Sequence, residues 1–95
     1  MKKYEIMYIL KANLEDAKRQ EVMDALHSII TSNDGTIENV NEWGLKEFAY
    51  EINKEKKGYY VVVKMTANNE GIAEFDRLAR INNNVVRFLI VKEEA

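Results

Sequence analysis

The chain has 95 residues, 46% of them hydrophobic, with no cysteine and a formal net charge of −2 from 14 basic and 16 acidic side chains. That length suits one domain with a single core; the apolar content excludes a disordered tail, and the lack of cysteine excludes a disulfide framework and a thiolate metal site. The slightly acidic balance excludes a protein that grips nucleic acid by bulk charge, so any RNA binding needs a local basic patch or a partner's charge.

The start, Met1 to Glu5, lacks the unbroken apolar stretch and small-residue cleavage site of a signal peptide. No apolar run approaches the roughly 18 residues of a membrane span. A soluble, cytoplasmic protein is expected. There is no proline, and the four glycines are scattered, so no linker divides residues 1–95. Alternation of Tyr4, Ile6, Tyr8 and Leu10 predicts a strand over 3–10. Asn13 with Asp16 resembles a capping box. Val22, Leu26, Ile29 and Ile30 follow at helical spacing, predicting a helix over 14–33 that ends at Asn33-Asp34-Gly35, with Gly35 as left-handed cap. A second strand is expected over 36–52, bulged or bent at Gly44, with Phe48, Tyr50 and Ile52 continuing the core alternation. Asn53 to Lys57 then reads as a hairpin loop closed by Gly58. Residues 59–67 form the strongest strand pattern. Asn68 or Asn69 caps a helix over 69–81 whose apolar side is Ile72, Phe75, Leu78 and Ala79. After the Asn82-Asn83-Asn84 turn, 85–92 is the last strand. The order βαββαβ predicts an α+β, ferredoxin-like domain: a four-stranded antiparallel sheet with two helices on one face.

The other sheet face is then open. Lys64 belongs on it, because a buried unpaired ammonium is too costly. Arg87 and Glu5 fix the parity of their strands in the same way. The open face is therefore expected to present Met7, Ile9, Tyr60, Val62, Leu89 and Val91, edged by Glu5, Lys64 and Arg87. A contiguous apolar patch of that kind marks a contact site for a protein partner.

Nothing points to catalysis, a metal or a cofactor. His27, the single histidine, is expected at the helix surface or rim. Ser28 and Ser32 lie in no nucleophile elbow, and no glycine pair brackets a phosphate-binding lysine. The segment Lys11-Ala12-Asn13-Leu14 lacks the glycine and arginine of an acylphosphatase-like anion loop. Lys57-Gly58-Tyr59-Tyr60-Val61-Val62 partly resembles the third-strand signature of the RNA recognition motif. Val61 and Lys64 stand where its later aromatics belong, so a free-standing single-stranded RNA-binding module is the alternative reading.

A fuller match runs through Lys3 to Leu10, Trp43 to Ile52, Gly58 to Val61 and Asn84 to Lys92. In these segments the chain resembles the family of the sixth protein of the bacterial small ribosomal subunit. The resemblance implies a structural, non-enzymatic role. Such a protein binds the central domain of 16S ribosomal RNA as a heterodimer with the basic eighteenth small-subunit protein. It implies RNA contacts at Lys2, Lys3, Lys46 and Arg87, with Lys54, Lys56, Lys57 and Lys92 as further candidates, acting on phosphates and sugars. The chain departs from the family pattern at Glu47, where a cation is usual, and at Glu51, where proline is usual.

Overall fold

The computed structural model describes residues 1–52 and 55–93, apart from the side chains of Ile52 and Glu55. The elements are β1 (Lys2–Lys11), α1 (Asp16–Ser32), β2 (Thr36–Ile52), β3 (Glu55–Ala67), α2 (Asn69–Ile81) and β4 (Val85–Lys92). The strands pair antiparallel in the order β2-β3-β1-β4. Both helices pack on one face, which is the ferredoxin-like arrangement the element order predicts.

The core lies between sheet and helices. Tyr4, Ile6, Tyr8 and Leu10 of β1 and Val61, Val63, Met65 and Ala67 of β3 meet Val22, Met23, Leu26 and Ile30 of α1 and Phe75 and Ala79 of α2. Strand alternation and helical spacing thus deliver one apolar surface each, and each large side chain so buried contributes about 1.5–3 kcal/mol. Phe88 of β4 closes the side of this core, edge-on to Phe75 at a centroid distance of 6.1 Å.

Several local expectations are corrected. Glu15, not Asn13, occupies the N-cap of α1, and its side chain makes no capping bond. Asp34, not Gly35, takes the left-handed conformation, at φ 66°. Gly35 is needed for closeness instead: a Cβ there would lie 2.6 Å from Ile30 Cγ2 and 2.8 Å from the Ile30 carbonyl. α2 is capped by Asn68, whose side-chain oxygen accepts from the Gly71 amide at 2.7 Å. The segment read as a hairpin loop is largely strand, because β3 begins at Glu55 rather than Tyr59; Asn53 and Lys54 lie outside the described residues.

The second strand holds the largest correction. Gly44 sits at φ 88°, at a register break where Glu42 faces Val61 and Gly44 faces Tyr60, leaving Trp43 as the extra residue. One inserted residue exchanges the two faces of everything beyond it. Phe48 therefore lies on the open face, tilted against Tyr60 at 6.1 Å, and not in the core. Tyr50 is 71% exposed and is no part of the core either.

Candidate RNA and partner interface

Cross-strand register builds the open face in three rows. Lys64, Glu5 and Val91 form one; Val62, Met7 and Leu89 the next; Tyr60, Ile9 and Arg87 the third. Lys64 points outward as its charge requires, with its ammonium 3.9 Å from the Glu5 carboxylate. Leu89 and Val91 are 54% and 47% exposed. Met7, Tyr60 and Val62 are half-buried among their neighbours.

Ile9 differs from its expected place on this surface: it is only 3% exposed. Gly58 explains why. With no Cβ, it lets Ile9 and the Phe48 ring close over the β3 backbone; an added Cβ would collide with Ile9 Cγ2 and come within 2.7 Å of Phe48 Cζ. Tyr60 packs beside them, and the bulged Trp43 stacks nearly parallel on Tyr60, 6.4 Å between centroids and 6° between planes. Lys46 holds its ammonium 5.8 Å from the Trp43 ring centre. The result is an aromatic corner that covers one end of the face and leaves the rest open. Beside it, Met7, Ile9, Tyr60, Arg87, Phe88 and Leu89 line a shallow depression of about 230 Å³. Strand alternation alone does not place Trp43 and Phe48 on this face; the signal for them is Gly44, whose bulge shifts the parity of the residues that follow.

The expected RNA-facing cations do not gather into one patch. Lys3 lies on the open face, at the end of β1 opposite Thr66. Lys2 and Lys92 share the helix side of the same sheet end, and the neighbouring Lys2 ammonium pushes the Lys92 pKa down. Glu93 joins its amide to the Lys3 carbonyl there at 2.9 Å. Arg87 is paired with Ile9, seven residues along β1 from Lys2 and so about 23 Å away. Lys46 is at the aromatic corner, and Lys56 and Lys57 lie on the projecting β2–β3 hairpin beside Glu47, Phe48, Tyr50 and Glu51. Lys54 falls outside the described residues. Two basic ends, separated by an apolar field, replace a single stripe.

The helix face holds a different polar group. His27 stands at the edge of the buried stripe of α1: it is half-buried, its Nε2 lies 2.8 Å from the Tyr8 hydroxyl, and burial lowers its pKa. Burial also raises the Tyr8 pKa, so both rings are neutral at pH 7 and share one proton bridge. Nearby, the Arg19 guanidinium lies 4.1 Å over the Tyr59 ring, whose hydroxyl donates to Glu42 at 2.8 Å. Among the described residues no group of His, Asp and Glu side chains is arranged to hold a metal ion, and no helix is long and apolar enough to cross a membrane.

A family model described as ribosomal protein S6 matches residues 3–92. The chain belongs to the ribosomal protein S6 family. It is 48% identical over 94 residues to the small ribosomal subunit protein bS6 of Halalkalibacterium halodurans, and 47% identical to that of Shouchella clausii, with 99% of each chain covered in both pairings. The crystal structure of the 30S ribosomal protein S6 of Thermotoga maritima is similar at a TM-score of 0.91 and 26% identity, over 97% of this chain and 87% of that one. These relatives are ribosomal proteins, not enzymes, and the role of this S6-family chain is non-catalytic. S6 membership, the ferredoxin-like fold and the open apolar face describe the same molecule from three directions.

Proposed function

We propose that the chain is a structural constituent of the small ribosomal subunit, in the cytoplasm, that binds the central domain of 16S ribosomal RNA together with the basic eighteenth small-subunit protein. The observation that carries this reading is the apolar field of Met7, Val62, Leu89 and Val91 on a helix-free sheet face, flanked by basic ends. A surface of this kind suits a protein neighbour. The net charge of −2 suits a chain that leaves much of the phosphate neutralisation to that neighbour. Lys2, Lys3 and Lys92 at one end, and Lys46 and Lys56 at the other, act as phosphate contacts that set position without reading sequence.

A second reading has one observation in its favour: Trp43 is 50% exposed on the sheet face, with Lys46 beside it. Aromatic rings next to cations stack unpaired bases, as in a free-standing single-stranded RNA module. Titration of a transcript of the 16S central domain separates the two. The first reading expects weak binding by the chain alone and at least tenfold tighter binding with the eighteenth protein present. Equal affinity with and without that protein, or tight binding of short single strands by the chain alone, would overturn it.

A further inference from the structure

The bulge in β2 is not wedged in place. Among the described residues β2 is an outer strand, paired with β3 alone. Gly44 stands at φ 88°, and a Cβ added there would meet nothing within 4 Å. Neither packing at Gly44 nor a second ladder therefore holds the bulge, which itself interrupts the one ladder there is. Side chains of β3 and α1 are placed to do so. Tyr59 and Tyr60 are consecutive and project to opposite faces of the sheet; Tyr59 faces Leu45 and Tyr60 faces Gly44. On the open face Tyr60 stacks on the extra residue, Trp43. On the helix face the Tyr59 hydroxyl reaches past the bulge and donates to Glu42 at 2.8 Å. That bond ties the residue before the bulge to the β3 residue that faces the strand after it. The Tyr59 ring is held in turn from α1: the half-buried Arg19 guanidinium covers it at 4.1 Å and is itself paired with Asp16 at 2.6 Å. A cation over the electron-rich ring face is attractive, and a hydroxyl bonded to a carboxylate is held more strongly than one bonded to a neutral oxygen. The preceding break in β2 follows the same rule. Glu38 is its extra residue, between Ile37 and Asn39, and accepts from the Thr66 hydroxyl at 2.8 Å.

We infer that Arg19 and Tyr59 are positioning residues for the opposite face of the sheet: through Glu42 they hold the bulge, and the bulge fixes where Trp43 is presented. A line of contacts thus runs from the first turns of α1, through the sheet, to the aromatic corner. The helix side sets the ring that the open side shows, whatever binds there. Neither Arg19 nor Tyr59 touches Trp43; both act on it through Glu42 and the backbone of the bulge.

The test uses Trp43 itself. It is the single tryptophan, so its fluorescence, excited where tyrosine does not absorb, reports on the bulge. Tyr59→Phe keeps the ring and removes only the hydroxyl. Its Trp43 emission should move to the red, acrylamide should quench it more strongly, and the amides of Trp43 and Gly44 should exchange hydrogen several-fold faster. Glu42→Ala should match Tyr59→Phe, whereas Glu42→Gln, which still accepts a hydrogen bond, should restore most of the parent signal. Arg19→Ala, changed on the far side of the sheet from Trp43, should shift the emission in the same direction. Thr66→Val removes the other hydroxyl–carboxylate bond and should leave Trp43 unmoved. Circular dichroism melts set a temperature at which every variant is folded. An unchanged Trp43 signal in Tyr59→Phe, Glu42→Ala or Arg19→Ala would overturn the inference. An equal shift in Thr66→Val would overturn it too, since Trp43 would then report a general loosening and not this bond.

Discussion

At Gly58 the fold has room for a hydrogen atom and nothing larger. The Ile9 and Phe48 side chains close over that position from two neighbouring strands, and the branched Ile9 side chain has little rotamer freedom with which to move aside. Gly58→Ala is therefore expected to destabilise the chain by about 1–3 kcal/mol, the usual cost of overpacking, read as a lower urea midpoint. The Tyr8–His27 pair gives the second prediction at this scale. Burial lowers the folded-state pKa of His27 below the ordinary 6.5, while Asp24 and Glu42 oppose that shift only in part. As pH falls through about 6.5 the unfolded chain takes up a proton that the folded chain refuses. Stability is then lost progressively until the depressed folded value is reached. Thermal midpoints measured from pH 8 to pH 5 should fall more steeply for the parent chain than for His27→Gln. Identical slopes would mean that His27 titrates as it does in water.

The two helices test the value of a cap within one molecule. Asn68 satisfies the Gly71 amide at the start of α2, whereas Glu15 leaves the start of α1 without a side-chain bond. Asn68→Ala should cost about 1 kcal/mol, and Glu15→Ser should add about 0.5–1 kcal/mol, both measurable by chemical denaturation. The elements also show where the sequence is legible. Alternation in β1 and β3 and the spacing of Val22, Leu26 and Ile30 identify the core side without ambiguity, because each of those surfaces is in contact with the helices or the sheet along its length. The N-cap of α1 is not legible, because Asn13 and Glu15 both precede a helical pattern and propensity alone favours Asn13, which does not occupy the cap. In β2 the glycine revealed a bulge, but the residue it extrudes, Trp43, reads as one more member of an alternating strand. Alternation therefore assigns Phe48 and Tyr50 to the core, whereas the bulge puts Phe48 on the open face and Tyr50 in solvent. The open-face residues of β1, β3 and β4 were legible because a charge on each strand, Glu5, Lys64 or Arg87, fixes its parity.

For the molecule as a whole, the governing feature is that the described candidate RNA-facing cations stand at two ends of an apolar sheet face. Sequence position could not reveal the whole of this arrangement, since Lys2 is related to Lys92 and Arg87 only through strand pairing. Lys2 and Lys92 crowd each other enough to lower the Lys92 pKa, and a phosphate bound between them would relieve that repulsion. Lys2→Ala and Lys92→Ala should each reduce the salt dependence of RNA binding by about one phosphate contact, in the presence of the partner. An unchanged slope would remove the residue from the interface. The central claim, that this S6-family chain is a structural part of the small subunit held there through RNA and one protein neighbour, has a direct measurement. Extract from cells carrying an affinity-tagged chain is resolved on a density gradient, and the recovered particle is then digested with ribonuclease. The account predicts that the chain sediments with the small subunit and, after digestion, retains the basic eighteenth protein in one-to-one ratio; sedimentation in the light fractions, or retention of no protein after digestion, would contradict it.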